Sequence, residues 1–140
     1  MAKQHEHDFA KLRHVATKYY HETNCCAVIA VAAAARVAFG KAYRIMQRLG
    51  RPDRKGTPHH VYAQALRELG YRIVPCDVPM GKTLVSAKRS CPKRGTFLIL
   101  TNRHITCIRD GEMVDWAADN NSRKRIIWVR EVIKDNLKEN

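Results

Sequence analysis

From His5 to Tyr20 apolar residues recur at helical spacing, with Phe9, Leu12, Val15, Ala16 and Tyr19 on one face, which predicts an amphipathic helix. The next segment differs in kind. Cys26 to Phe39 reads CAVIAVAAAARVAF and is apolar on nearly every face apart from Arg36, the pattern of a central helix buried on all sides. Thr23 and Asn24 offer N-cap oxygens ahead of it, and Gly40 is expected to end or bend it. Helical spacing resumes through Ala42, Ile45, Met46 and Leu49, with Gly50 where a C-cap glycine belongs. Arg51 to Pro58 reads as a polar loop, and His59 to Leu69 as a further helix closed by Gly70.

The periodicity then changes from helix to strand. Tyr71 to Val78 partly alternates and carries β-branched residues, Thr83 to Ser90 suits a short helix, and Thr96 to Leu100 is a strand ending near Asn102. His104–Ile108 and Glu112–Trp116 flank Asp110-Gly111, a pair favoured in two-residue type I′ hairpins. Ile126 to Ile133 is the last strand, beyond a polar loop from Asp119 to Arg125. Helices first and antiparallel strands second make the fold α+β. With no repeat or break in composition, one domain is expected: an N-terminal helix (1–23), a helical half (24–70), a sheet half (71–133) and a tail (134–140).

Composition narrows the function classes. At 140 residues and 45% apolar content the chain suffices for one hydrophobic core. No apolar run approaches the roughly 20 residues of a membrane span, and the polar N-terminal segment lacks the apolar stretch of an export signal, so a cytoplasmic protein with no membrane partner is expected. The five cysteines, Cys25, Cys26, Cys76, Cys91 and Cys107, then read as reduced thiols. No CxxC pair suggests zinc, and neither cofactor nor metal is expected. The net charge of +13 favours contact with nucleic acid, anionic surfaces or acidic proteins, and charge alone does not choose among them. Three basic clusters carry much of it: Arg51, Arg54 and Lys55; Lys88, Arg89, Lys93 and Arg94; and Arg123, Lys124 and Arg125. Their ordinary reading is solvated loop residues, and with few aromatics nearby they offer no base-stacking platform.

The chemistry-bearing pattern is a cysteine at the start of the buried helix followed downstream by His104 and Asp115. A thiol becomes a good nucleophile when its pKa falls, and a helix N-terminus or a neighbouring imidazolium lowers it. Cys26 at the first helical position suits this role, and Cys25 competes for it; the ordinary reading of either is a small core residue. Around an Asp110-Gly111 turn, opposed positions sum to 221. Thr106 then faces Asp115 and His104 faces Ala117, so His104 and Asp115 share a face diagonally while Ile105, Cys107 and Trp116 take the other. A carboxylate beside an imidazole fixes its tautomer, the third-member role of a catalytic triad. The other histidines read as solvated, although His59-His60 after Pro58 could line a cleft.

The stretch Asn24-Cys25-Cys26-Ala27-Val28-Ile29-Ala30-Val31-Ala32, the Gly56-Thr57-Pro58 loop, Gly95-Thr96-Phe97-Leu98, and His104 followed by Asp110-Gly111 and Asp115-Trp116 resemble small papain-like cysteine proteins of tailed phages and bacteria. The layout is similar to that of bacteriocin-processing peptidase domains. The resemblance implies a papain-like fold and a phage-encoded cysteine hydrolase acting on a peptide, isopeptide or amide. It implies Cys26 as nucleophile, His104 as base and acid, Asp115 as orienter and a thioester intermediate, with host cytoplasm as the location. Cys25 sits where the family carries an Asp-like residue, and the Gln that supplies the oxyanion donor ahead of the nucleophile is missing. Asn24 is the substitute donor, with His21 behind it. These departures support an alternative: a catalytically impaired papain-like module that binds an acidic host protein or nucleic acid through its basic surface. Acyl transfer in place of hydrolysis would use the same residues.

Overall fold

The computed structural model describes residues 5–21, 25–51, 59–102, 104–114 and 123–135. Among them lie helices α1 (Phe9–Tyr19), α2 (Cys26–Ala35), α3 (Phe39–Arg48), α4 (His59–Glu68) and α5 (Leu84–Ser90), and strands β1 (Tyr71–Pro75), β2 (Thr96–Thr101), β3 (His104–Arg109), β4 (Glu112–Val114) and β5 (Ile126–Lys134). The fold is α+β, and every strand pairing is antiparallel in the order β1-β5-β2-β3-β4. The last strand therefore inserts between β1 and β2.

The sheet is covered on both faces. On one, α2 packs on β3 and is flanked by α1, α3 and α4, with Leu98, Ile105, Cys107, Val114 and Val132 as the sheet's share of that core. On the other, Met80, Leu84 and Ala87 pack on Phe97, Ile99, Ile108 and Met113. Being surrounded explains the composition of α2: Ala27 to Ala35 are all buried, and their small side chains let three helices and the sheet approach it together.

Two expectations need correction. The central helix ends at Ala35, not at Phe39 or Gly40. Arg36 adopts the left-handed conformation (φ 57°), and the Val37 N–H donates to Ala32 O at 3.0 Å, closing the helix without a glycine. Gly40 falls inside α3, where an added Cβ would come within 2.7 Å of Tyr20 Oη. Arg51, expected to be solvated, is buried, its N–H bonded to Met46 O and its guanidinium 5.7 Å from the Tyr43 ring centre. The rest of that expected loop, with Arg54 and Lys55, lies outside the described residues, as do Asp119 to Ser122 of the later loop and most of the tail.

The hairpin follows its sequence spacing. Asp110 and Gly111 both take positive φ (52° and 83°), and Cys107 pairs with Val114, Ile108 with Met113 and Arg109 with Glu112. Among the described residues no single helix is long and apolar enough to cross a membrane; α2 and α3 reach that length only together, across a bend of 117°.

Candidate active site

The start of α2 separates the two adjacent cysteines. Cys25 flanks the helix, its C=O accepting the Ile29 N–H at 3.0 Å, and its side chain is 1% exposed within the main core. Cys26 is half-buried, the one residue of α2 with appreciable access to solvent, at the end where unsatisfied backbone N–H groups gather. None of the five cysteines is in a disulfide. Asn24 lies outside the described residues.

α2 and β3 are held together at their C-terminal ends. Arg109, last in β3, donates through Nη1 to Ala33 O at 2.8 Å, and Arg36 donates to Asp110 Oδ2 at 2.6 Å. The C-terminal ends of helix and strand are thereby tied together. Going back from Ala33 to Cys26 at about 1.5 Å per residue covers about 10 Å, and from Arg109 to His104 at about 3.4 Å per residue covers about 17 Å. Cys26 and His104 thus each open their element, set back from this tie by those lengths of helix and strand.

The pleat adds a constraint. Ile105 and Cys107 belong to the core beneath α2, whereas Ile108 lies in the core beneath α5. His104 shares the parity of Ile108, so regular alternation directs it to the α5 face, one strand thickness from the surface that carries α2. It stands at the very end of the strand, half-buried and paired with Thr101, where a bulge interrupts the β2–β5 pairing. Asp115, and the pairings expected for Asp115 and Ala117, lie outside the described residues.

What the structure does gather near Cys26 is an aromatic group drawn from α4 and β5. Tyr62 is buried, and its phenol is pushed up to about 12, chiefly by burial, with Arg130 lowering it and nearby Cys26 raising it. It is thus a neutral O–H donor at ordinary pH. His59, one turn earlier on α4, meets the Tyr62 ring edge-on at 4.8 Å and the Trp128 ring at 5.9 Å. Arg130 caps the group, its guanidinium 5.1 Å from the Trp128 ring centre. Sequence reasoning noticed His59 but missed Tyr62, Trp128 and Arg130. The three-residue spacing of His59 and Tyr62 was the only available signal, since nothing local links Trp128 to α4.

The remaining thiols are differently placed. Cys91 is pushed up to about 11 by burial and by its neighbour Cys76, so it stays protonated near neutrality. Cys107 is buried between the sheet and α2. Among the described residues no three His, Cys, Asp or Glu side chains come together as a metal-binding group. Compared with protein-family models, with curated proteins and with solved structures, the chain matches none.

Proposed function

We propose that this chain is a papain-like cysteine hydrolase that cleaves an amide, peptide or isopeptide bond through Cys26. One observation carries the reading. In a helix otherwise wholly buried, the single accessible residue is a cysteine at the N-terminus.

In this mechanism His104 takes the thiol proton and the Cys26 sulfur attacks the carbonyl carbon. The oxyanion is held by the Cys26 backbone N–H and the Asn24 side-chain amide. His104 then delivers its proton to the departing amine, leaving a thioester that water hydrolyses. Asp115 orients the imidazole. His59, Trp128 and Arg130, backed by the buried Tyr62, receive the substrate beside the nucleophile, an aromatic surface with one cation.

A second reading is favoured by the pleat. If His104 stays on the α5 face, the thiol lacks that base, and the chain is a binding module with a papain-like shape. The pH dependence of iodoacetamide alkylation at Cys26, read by mass spectrometry, separates the two. The hydrolase reading expects a midpoint below the ordinary thiol value of about 8.5 that rises in His104→Ala. A midpoint that rises only in His59→Ala transfers the base to the aromatic group. An ordinary midpoint unmoved by either substitution rejects the hydrolase. Cys91 serves as the internal unreactive control.

A further inference from the structure

The face of the sheet opposite α2 collects cations from two distant parts of the sequence. Thr83 bridges Arg125, the Leu84 N–H donates to Lys124 O at 3.0 Å, and the Ile126 N–H donates to Lys82 O at 2.9 Å. These bonds hold Arg123–Arg125 alongside the start of α5, whose last turn carries Lys88 and Arg89. Lys82, Lys88, Arg89, Arg123, Lys124 and Arg125 are all exposed. No Asp or Glu occurs between Lys82 and Arg94, or between Arg123 and Arg130.

Between the two segments lies an open cavity of about 440 Å³, lined by Thr83, Val85, Ser86, Arg89, Ser90 and Arg123. Ser86 is committed to the fold, accepting from the Thr83 N–H and bonding back to Met80 O and Thr83 O. The groups left to meet a ligand are two guanidiniums and the Ser90 hydroxyl. Both guanidiniums line the cavity, and their geometry suits paired bonds to phosphate oxygens.

We propose that this face binds the phosphodiester backbone of a nucleic acid, with one phosphate seated between Arg89 and Arg123 and its neighbours met by Lys82, Lys88, Lys124 and Arg125. Nucleic acid fits better than an acidic protein because the cavity lining holds no aromatic anchor of the kind that stabilises protein interfaces, while cations from two segments surround it. The absence of an aromatic from the cavity lining also means that contact is with the backbone, so recognition is independent of base sequence. This surface is separate from Cys26 and does not depend on the hydrolase reading.

Fluorescence anisotropy with the full-length chain and labelled duplexes of roughly 30 base pairs tests the proposal across a salt series. If the six cations each meet a phosphate, the logarithmic salt slope is about −5, and a fourfold rise in salt weakens binding about a thousandfold. Arg89→Ala/Arg123→Ala is expected to weaken all sequences alike and to flatten the slope by about 2. Lys41→Ala/Arg44→Ala removes equal charge from α3, on the opposite face, and is expected to change the slope far less. Cys26→Ala is expected to bind as the wild type does.

Equal losses from the two double variants would overturn the site, leaving only a diffuse positive field. Displacement of the duplex by polyglutamate or by anionic phospholipid vesicles at the same charge concentration would overturn nucleic acid as the partner. Circular dichroism of each variant checks that the surface substitutions leave the fold intact.

Discussion

Replacing Arg109 by Met tests what holds α2 in line with β3. The Arg109 side chain is 10% exposed and reaches three acceptors: Ala33 O at 2.8 Å, His7 O at 3.3 Å and Asp8 Oδ1 at 3.4 Å. The short bond from a charged donor to a helix carbonyl contributes about 1.5–3 kcal/mol. The two longer contacts add about 1 kcal/mol together, because Asp8 is more than a third exposed and water screens that pair. Against this, the substitution removes a cation whose burial depresses its pKa, which offsets part of that contribution. Ala33 O also keeps the Arg36 N–H at 3.3 Å, so the carbonyl is not orphaned.

The net expectation is a loss of about 2 kcal/mol. At a urea dependence of about 2 kcal/mol per molar, the unfolding midpoint falls by about 1 M. Asp8→Asn should lower it by less than half as much, and the double variant should be less than additive, since both residues act in one contact. A midpoint shift in Arg109→Met below about 0.3 M would refute the idea that this guanidinium ties helix to strand. The folded fraction offers a second readout. If the tie aligns Cys26 with His104, the His104-dependent part of the alkylation profile shrinks in Arg109→Met even where the protein remains folded.

Two further expectations rest on buried groups. The His7 pKa lies below the ordinary 6.5, first because of burial and then because Arg109 is near, and its Nδ1 is buried without a hydrogen bond. The unfolded chain therefore takes up this proton at higher pH than the native one, so the contribution of His7 is complete above about 6.5 and declines as pH falls through and below that value. Urea titrations across that range should show the decline, and His7→Phe should flatten it; an unchanged pH dependence would exclude His7 as its source. Ala32, fully buried in α2, leaves no room for a larger side chain, and Ala32→Leu should cost about 1–3 kcal/mol in urea unfolding. A neutral result would mean that α2 is not confined on all sides.

Local chemistry made some of this legible in the sequence and left other parts hidden. The hairpin could be read because two turn residues with positive φ set its register, and pairs summing to 221 follow from Asp110 and Gly111 alone. The burial of α2 could be read because an apolar helix has nowhere else to go. Its end could not, since a glycine was the expected signal and Arg36 takes the left-handed position instead, with Asp110 as its partner across the sheet edge. Strand order was equally hidden: nothing near Ile126 says that β5 slots between β1 and β2, a pairing decided by distant partners. The same pairing brings Trp128 to α4 and Arg125 to Thr83, so the aromatic wall and the basic face both escaped a reading made one segment at a time.

The sheet divides the two proposed activities between its faces, which gives their combination a testable form. The proposed thiol chemistry belongs to the layer of α2 and α4, the core that Cys26, Tyr62 and Trp128 share. Phosphate contact belongs to the layer of α5, held by the short bridge at Thr83. Substitutions on opposite faces with no shared partner act additively, usually within about 0.5 kcal/mol. Cys26→Ala combined with Arg89→Ala/Arg123→Ala should therefore show the duplex affinity of the arginine variant alone, and the arginine variant should keep the wild-type alkylation midpoint. His104 opens the strand that both layers pack on, and its parity points toward α5. Bound duplex that protects Cys26 from alkylation, or that shifts its midpoint only when His104 is present, would show that the two faces communicate through this one side chain, and additivity would then fail.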